Sequence, residues 1–380
     1  MKTRLVDHLR CPTCAGALNL DVIESSSAGL DDRSRTVLDR RGIDPGGAER
    51  LVVTGLLLCG SCRVWYPISR HVPVLLDFAT EHHTEFAARH RVAVTGYHSP
   101  AGEPRPGERL TQESFSTEWL GVRDDELTFT YTHQDREDFI RLELDRGDRP
   151  PGDDGALLDV GCGYGTEARL LHRVTGMETF GTDLNLSLLD GGPELDREPL
   201  VHTVIASLFA LPFPRREFDL VYSHGVLHHT FSTADALASI ADLVAPGGTL
   251  SVWVYANADF EQGLRLRSSA AAERLLRPFV ATAPKPLQSA VVHSLSVPHF
   301  VRYRRLGTNR RRWRYRNSVH SMRDRWTPRY AHRHEIDEVE GWFRAHGFEP
   351  VAFDAAAYER RFGVPLIGIG RRGSRSPNAA

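Results

Sequence analysis

Apolar residues along the chain fall into short runs separated by glycine turns and by charged segments of helical spacing, the signature of strands alternating with helices. ALLDV, Ala156 to Val160, is an apolar run of strand length, and TEARLLHRV, which follows a glycine turn, carries its apolar positions at helical spacing. METFGTD reads as a second strand ending in Asp183, FDLVYSH as a buried third, and LVAPGGTLSVWVY supplies a fourth apolar stretch after a helix that starts near Ser232. Glu335 to His346 sets Ile336, Val339, Trp342 and Phe343 on one helical face, and Gly347 stops it. FEPVAF and PLIGIG then read as the closing strands and RRGSRSPNAA as a frayed tail.

The flanks are less periodic. Glu24 to Arg50 is rich in Ser, Asp, Gly and Arg and reads as a solvated or mobile excursion. Glu81 to Pro106 reads as a linker or lid with a short helix at Glu81–His90. Gln112 to Leu144 interleaves Phe115, Trp119, Phe129, Tyr131 and Phe139 with charges. Trp119 and Phe139 are expected to pack, whereas Tyr131 and His133 are open between packing and substrate contact. Gly263–Val280 looks helical and precedes RYRRLGTNRRRWRYR.

Composition places these 380 residues among ordinary globular chains, 41% hydrophobic and 25% charged. No stretch approaches the roughly 18 apolar residues of a membrane span, and the opening segment lacks the apolar core of a secretory signal. A cytoplasmic protein is expected. The net charge of −2 hides an asymmetry: residues 256–330 hold 16 basic and 4 acidic side chains, so the remainder is correspondingly acidic. The eight arginines of that run, with Tyr and Trp between them, could bind RNA by phosphate contact and stacking, pair with the acidic remainder, or recognise a carboxylate or phosphate on a small substrate.

Four of the five cysteines form two C-x-x-C pairs, Cys11/Cys14 and Cys59/Cys62, 44 residues apart. Two such knuckles suit one structural tetrahedral Zn²⁺ with no open position for water; two disulfides or free core thiols are the alternatives. LVDHLRCPTCAGALNL followed by LLLCGSCRVWYPISRHVPVLL resembles, over residues 1–78, the small zinc-ribbon family whose members activate tRNA, rRNA and release-factor methyltransferases. The long insert and His71-Val72-Pro73, where Gly-Ile-Pro is commoner, depart from that pattern without touching the cysteines.

The strongest chemical signal is Gly161-Cys162-Gly163-Tyr164-Gly165 between strand and helix, with Asp159 before it. Such a turn brings backbone amides and a helix N-terminus close to a ligand, and a carboxylate at the next strand tip, Asp183, can accept from both ribose hydroxyls. Dinucleotide and S-adenosylmethionine sites share this logic, although the G-x-G-x-x-G spacing for a pyrophosphate is missing. The ordered series DVGCGYG, GTDLN, ALPF, FDLVYSHGVLHH and LVAPGGTLSVWVY resembles class I S-adenosylmethionine-dependent methyltransferases. That resemblance implies an α/β, Rossmann-like seven-stranded sheet with helices on both faces and a reversed final hairpin. It further implies that Gly161, Cys162, Gly163 and Gly165 approach the methionyl end, Asp159 orients its amino group, Asp183 holds the ribose and Leu184 lies beside the adenine. Ser207 stands where many members carry an Asp for the adenine amino group, and Leu208 would cover the adenine face; core packing is the alternative for both leucines.

His224, His228 and His229 follow the FDLVYSH strand, where open α/β sheets bind ligands. A neutral imidazole there could accept a proton from the acceptor, or merely pack or cap; Tyr164 is a further candidate at the cofactor mouth, and His224 also borders the cofactor. His332 and His334 could face the acceptor or the surface. The expected organisation is a zinc ribbon over 1–78, a linker and packing segment over 79–150, a methyltransferase domain over 151–255 and 331–372, and a basic lid insertion over 256–330. The expected activity is methyl transfer to an oxygen or nitrogen of a small-molecule or biosynthetic-intermediate acceptor, an anionic one included. An RNA or protein methyltransferase using the ribbon for recognition, and a non-catalytic cofactor-binding scaffold, are the alternatives.

Overall fold

The computed structural model of the chain describes residues 1–90, 96–119, 131–144, 154–195, 198–257, 264–307, 311–351 and 367–373. Phe129, the start of the PLIGIG run and the end of the tail lie outside the described residues.

The glycine turn joins β5 (Ala156–Val160) to α7 (Thr166–Thr175). β6 (Glu178–Asp183) and β8 (Phe218–His224) flank β5 in parallel, with Asp159 opposite Gly181 and Tyr222. β7 (Val201–Ala206) continues the sheet beyond β6, and β9 (Val244–Trp253) continues it beyond β8, both in parallel. β11 (Ile367–Arg372) then runs antiparallel to β9 and pairs with β10 (Phe348–Pro350), so the reversed final hairpin is present. Within the full sheet this portion has the order β7-β6-β5-β8-β9-β11-β10, with α8 (Leu188–Leu195), α9 (Thr233–Ala241) and α13 (Ile336–Ala345) among its connections. Strands β5, β6, β7 and β8 are buried along nearly their whole length, as parallel strands covered on both faces must be. Ser232 caps α9 by accepting from Asp235 N at 3.2 Å, and Gly347 follows α13 at φ +76°.

The ribbon is part of the same sheet. α1 (Leu5–His8) precedes β1 (Leu18–Ser27), which pairs antiparallel with β2 (Arg50–Cys59); β2 pairs with β3 (Trp65–Ser69), and β3 with β4 (Val72–Leu75). β4 then adds in parallel to β7, Val74 beside Ile205 and Leu75 beside Ala206. One apolar cluster accordingly runs from Leu57, Tyr66 and Leu75 to Leu158, Phe180 and Val204. The buried Lys2 ammonium donates to the Val201 carbonyl at 2.7 Å at this junction.

The insert between the knuckles is folded rather than a loose excursion. It forms α2 (Asp32–Arg40), capped by Asp31, and α3 (Pro45–Glu49), capped by Asp44. Leu38 and Ala48 are buried against Leu200, and Arg41 donates to the Gly176 carbonyl at 2.6 Å. Its polar composition concealed two helices that need only a few apolar anchors.

α4 (Glu81–His90) takes the residues expected for a helix; α5 (Glu108–Trp119) and α6 (His133–Leu144) then cross toward the glycine turn. The insertion after β9 is helical: α10 (Leu264–Thr282), α11 (Lys285–Leu306) and α12 (Tyr315–Trp326). Its internal charges converge on Glu273, which is 1% exposed and pairs with Arg277 and Arg325, with Arg333 at 3.9 Å. Trp313 is buried, stacks on Tyr303 at 4.8 Å and donates to Ser318 Oγ at 2.9 Å. That ring has no free face for a nucleotide base, and the described arginines of the 302–316 run are exposed away from the central cavity. The expectation that this run meets an anionic acceptor at the site is therefore corrected. Among the described residues, no helix is long and apolar enough to cross a membrane.

Candidate active site

The C-terminal ends of β5, β6 and β8 open into a cavity of about 350 Å³, roofed by α5, the start of α6 and α12. Gly161, Cys162, Gly163 and Tyr164 form one wall, with Asp183, Leu184 and Leu208 beyond them. Gly163 has φ +61°, and a Cβ there would meet the Trp119 indole at 2.9 Å; at Gly161 (φ +88°) it would meet Val226 at 2.1 Å. Only glycine lets the turn lie this close to its roof. Gly165 leaves the turn at φ +90° as the residue before α7.

Asp183 closes the tip of β6. One oxygen accepts from Gly163 N at 2.7 Å and the other from Asn185 N at 2.9 Å. Burial raises its pKa and these amides oppose the rise, so the carboxylate is both oriented and short of positive charge. Asp159 lies under the turn, 1% exposed, with Oδ2 unpartnered and its pKa well above the ordinary range because of burial. An amino group reaching that oxygen would remove the penalty. The close-packed glycine cradle, the tethered Asp183 and the orphaned Asp159 oxygen fit an S-adenosyl cofactor with its ammonium and ribose groups.

Ser207 is not at the cavity surface. It is 1% exposed, and its hydroxyl donates to Glu108 while accepting from Phe209 N at 3.2 Å. Glu108, from the first turn of α5, lines the cavity instead, its other oxygen accepting from Arg105 N at 2.7 Å. Burial raises the Glu108 pKa, and the Ser207 hydrogen bond works against that rise. A carboxylate 99 residues from Ser207 thus occupies the neighbourhood where the motif lacks one. Residue order gave no signal of it, since α5 is joined to the sheet only by tertiary packing.

The three histidines separate. His224 lines the cavity but is engaged on both sides, Nδ1 3.2 Å from Tyr222 Oη and Nε2 3.4 Å from Arg136, with its ring stacked on Trp253. His228 is fully buried behind the cavity, neither nitrogen hydrogen-bonded, its ring 3.9 Å from that of Tyr255. His229 lines the cavity. Its Nδ1 lies 2.8 Å from the Tyr330 carbonyl, which can only accept, so Nδ1 carries the proton and Nε2 the lone pair. Nε2 has no hydrogen-bond partner and stands 3.6 Å from Asp324 Oδ1. Burial lowers the His229 pKa, keeping the imidazole neutral, and Asp324 partly opposes this. Asp324 also accepts from Tyr255 Oη at 2.9 Å.

His332 and His334 are structural. His332 Nε2 meets the Thr230 carbonyl at 3.0 Å, and His334 bridges Glu338 and Thr233. Trp119 and Tyr131 line the cavity; Phe139 does so while packing on Tyr131 edge-on at 4.7 Å, so the aromatic preface is wall as well as core. His133 begins α6 and is not part of the lining. Glu118, on α5, is 4% exposed with both carboxylate oxygens lacking hydrogen-bond partners. Burial raises its pKa well above the ordinary range, Asp324 adds to the rise and Arg323 counters it. Sequence reasoning overlooked Glu108, Glu118 and Asp324 because each sits in a segment outside the motif series.

The four cysteine sulfurs lie within 4.8 Å of one another. Cys11 and Cys62 are 3.6 Å apart and Cys14 and Cys59 3.4 Å, near the roughly 3.8 Å edge of a tetrahedron with Zn–S bonds of about 2.3 Å. Tyr66 Oη sits 3.3 Å from the Cys11 sulfur and 2.9 Å from Thr13 Oγ1, an outer contact that orients the ligand. The site suits structural zinc.

Residues 158–252 match the methyltransferase domain family. An uncharacterised methyltransferase of Mycobacterium bovis is 32% identical over 109 residues, covering 28% of this chain and 54% of its own length. The malonyl-[acyl-carrier protein] O-methyltransferase of Salmonella typhimurium is 32% identical over 96 residues, 25% of this chain and 37% of its own. Among solved structures, a chain from the complex of the Haloferax volcanii Trm112 methyltransferase activator with a methyltransferase aligns at 16% identity and a TM-score of 0.41, covering 68% of this chain and 97% of that one. The chain spans about half the length of the first curated relatives it matches. It carries a class I S-adenosylmethionine-dependent methyltransferase domain. A four-cysteine centre fit for zinc accompanies that domain in the same sheet.

Proposed function

We propose that the chain transfers the methyl group of S-adenosylmethionine to an oxygen or nitrogen of a small molecule held under α5 and α12. The ribbon (1–78) and the lid (256–330) would act as units serving the methyltransferase domain (151–255 and 331–372), with 79–150 supplying roof helices. The observation that carries the reading is the one cavity lined both by Asp183, with its tethered carboxylate, and by His229, whose Nε2 has no hydrogen-bond partner. When bound, S-adenosylmethionine supplies an electrophilic methyl carbon on sulfur. Asp183 would accept from the ribose hydroxyls, Asp159 from the amino group, and Glu108, held by Ser207, from the adenine amino group, with Leu184 and Leu208 against the base. Cys162 and the three turn glycines would line the methionyl end, and Tyr164 would border its mouth. His229 Nε2 would take the acceptor's proton, its Nδ1–H fixed by Tyr330, while alignment of acceptor and donor supplies much of the acceleration. His224 would serve as wall and His228 as packing.

The roof favours a small acceptor, since Trp119 closes on the glycine turn and Trp313 is buried. Incubation of the full chain with isotopically labelled S-adenosylmethionine and cell extract should place label in low-mass metabolites. Label in RNA or protein alone would overturn the small-acceptor reading, and no transfer to any fraction would overturn the activity.

A further inference from the structure

We propose that the acceptor is a basic amine, bound as its ammonium ion between Glu118, Asp324 and His229 Nε2 against the aromatic walls of the cavity. The inference rests on the methyltransferase reading and names the substrate class of that same site.

The cavity lining carries five carboxylates and two guanidinium groups. Arg136 is committed to Glu167, and the Arg105 guanidinium attracts Asp77 and Glu108. Asp183 has its backbone amides. Among the described residues no ion pair joins Glu118 or Asp324 to either lining guanidinium, and Arg277 and Arg325 attract Asp324 from outside the lining. Arg323 attracts Glu118 but donates to the Thr117 carbonyl at 3.0 Å, and His320 Nε2 stands 3.6 Å from Glu118 with its pKa held down to about 4 by burial. A carboxylate that is 4% exposed, with both oxygens unpartnered, lacks a donor.

The second observation is independent of Glu118. His229 Nε2 and Asp324 Oδ1 face each other at 3.6 Å, and the Tyr330 carbonyl claims the one imidazole proton. Two acceptors turned toward each other call for a donor between or beside them. An ammonium group carries several N–H bonds and a charge; a neutral hydroxyl has one, and a carboxylate or phosphate none when ionised. Phe115 and Trp119 line the same cavity, and an aromatic wall attracts a cation where it presents a ring face.

Chemistry requires the bound cation to become a nucleophile. The ammonium N–H gives its proton to His229 Nε2, whose imidazolium is then stabilised by Asp324. The freed nitrogen lone pair forms the N–C bond to the methyl carbon as the S–C bond breaks. That electron pair stays on sulfur, leaving S-adenosylhomocysteine and an N-methylated ammonium. Charge balances without a further co-reactant.

The test is calorimetric binding to the full chain saturated with S-adenosylhomocysteine, using matched trios of amine, alcohol and carboxylate on phenylalkyl and alkyl skeletons. Amines should bind at least about tenfold more tightly than their own alcohol and carboxylate, and Glu118→Gln should erase most of that preference while retaining S-adenosylhomocysteine affinity. A trio in which alcohol or carboxylate matches every amine, or an unchanged preference in Glu118→Gln, overturns the proposal alone. Failure of the wild-type chain to bind S-adenosylhomocysteine overturns the methyltransferase reading, and the amine assignment with it. Should Glu118→Gln fold poorly, Asp324→Asn with the same trios decides, an intact amine preference counting against the proposal.

Discussion

Val74 of the ribbon lies in parallel register beside Ile205 of the methyltransferase sheet, so the zinc-binding unit covers what would otherwise be the open edge of β7. Unpaired edge strands expose donors and acceptors that invite misassociation. The four-cysteine centre is thereby tied to the integrity of the domain that holds the cofactor cradle.

Metal removal should act at a distance. Purified chain should contain about one zinc per molecule, and Cys59→Ser or strong chelation should lower the thermal midpoint by about 5–10 °C and promote aggregation. Elemental analysis without zinc would contradict this.

Asp183 tests the ribose assignment. Asp183→Ala should weaken S-adenosylmethionine binding by about 1.5–3 kcal/mol, the loss of hydrogen bonds to a charged group, with folding retained by circular dichroism. Unchanged calorimetric affinity would remove Asp183 from that role.

Glu108 and Ser207 should behave as a pair. Glu108→Gln is expected to cost about 1 kcal/mol of cofactor affinity, and Ser207→Ala somewhat less because it only loosens Glu108. In a double-mutant cycle the losses should be less than additive. Full additivity would mean that the two side chains act separately.

Adjacent histidines should diverge. His229→Gln should reduce kcat by about 100-fold or more with cofactor affinity intact. His228→Leu should stay within about 1 kcal/mol in stability and within a few-fold in rate, since both ring nitrogens already lack hydrogen-bond partners. Because burial lowers the His229 pKa, kcat/KM should fall on the acid side through an apparent pKa below 6.5. A limb above 7 would point to another base.

Stability should also decline in acid. Burial holds His83 and His320 down to about 4 from 6.5, with Glu118, Asp324 and Arg323 around His320 and His82 beside His83. The folded state therefore binds fewer protons than the unfolded chain between those values. The contribution is full above pH 6.5 and shrinks as pH falls toward 4, by up to about 2–3 kcal/mol per histidine. Urea titrations at pH 7 and 5 give the check; equal midpoints would show that these rings are not buried neutral.

Strands β5, β6, β8 and β9, the cysteine knuckles, the Asp183 tip and the helix at Glu81–His90 were legible because local pattern dictates each: an apolar run, a turn that tolerates only glycine, a spacing that suits one metal. Period and spacing are properties of a few neighbouring residues. The parallel seam of Val74 with Ile205, the hydrogen bond that brings Glu108 to Ser207, and the gathering of Glu118, Asp324 and His229 around one cavity were not legible. Each joins side chains about a hundred residues or more apart, and which partners meet is settled by how helices α5 and α12 close over the sheet. The same closure separated His229 from His228, neighbours in the chain whose rings face a cavity and a core respectively, because one backbone step around a helical turn redirects a side chain and only packing decides what waits there.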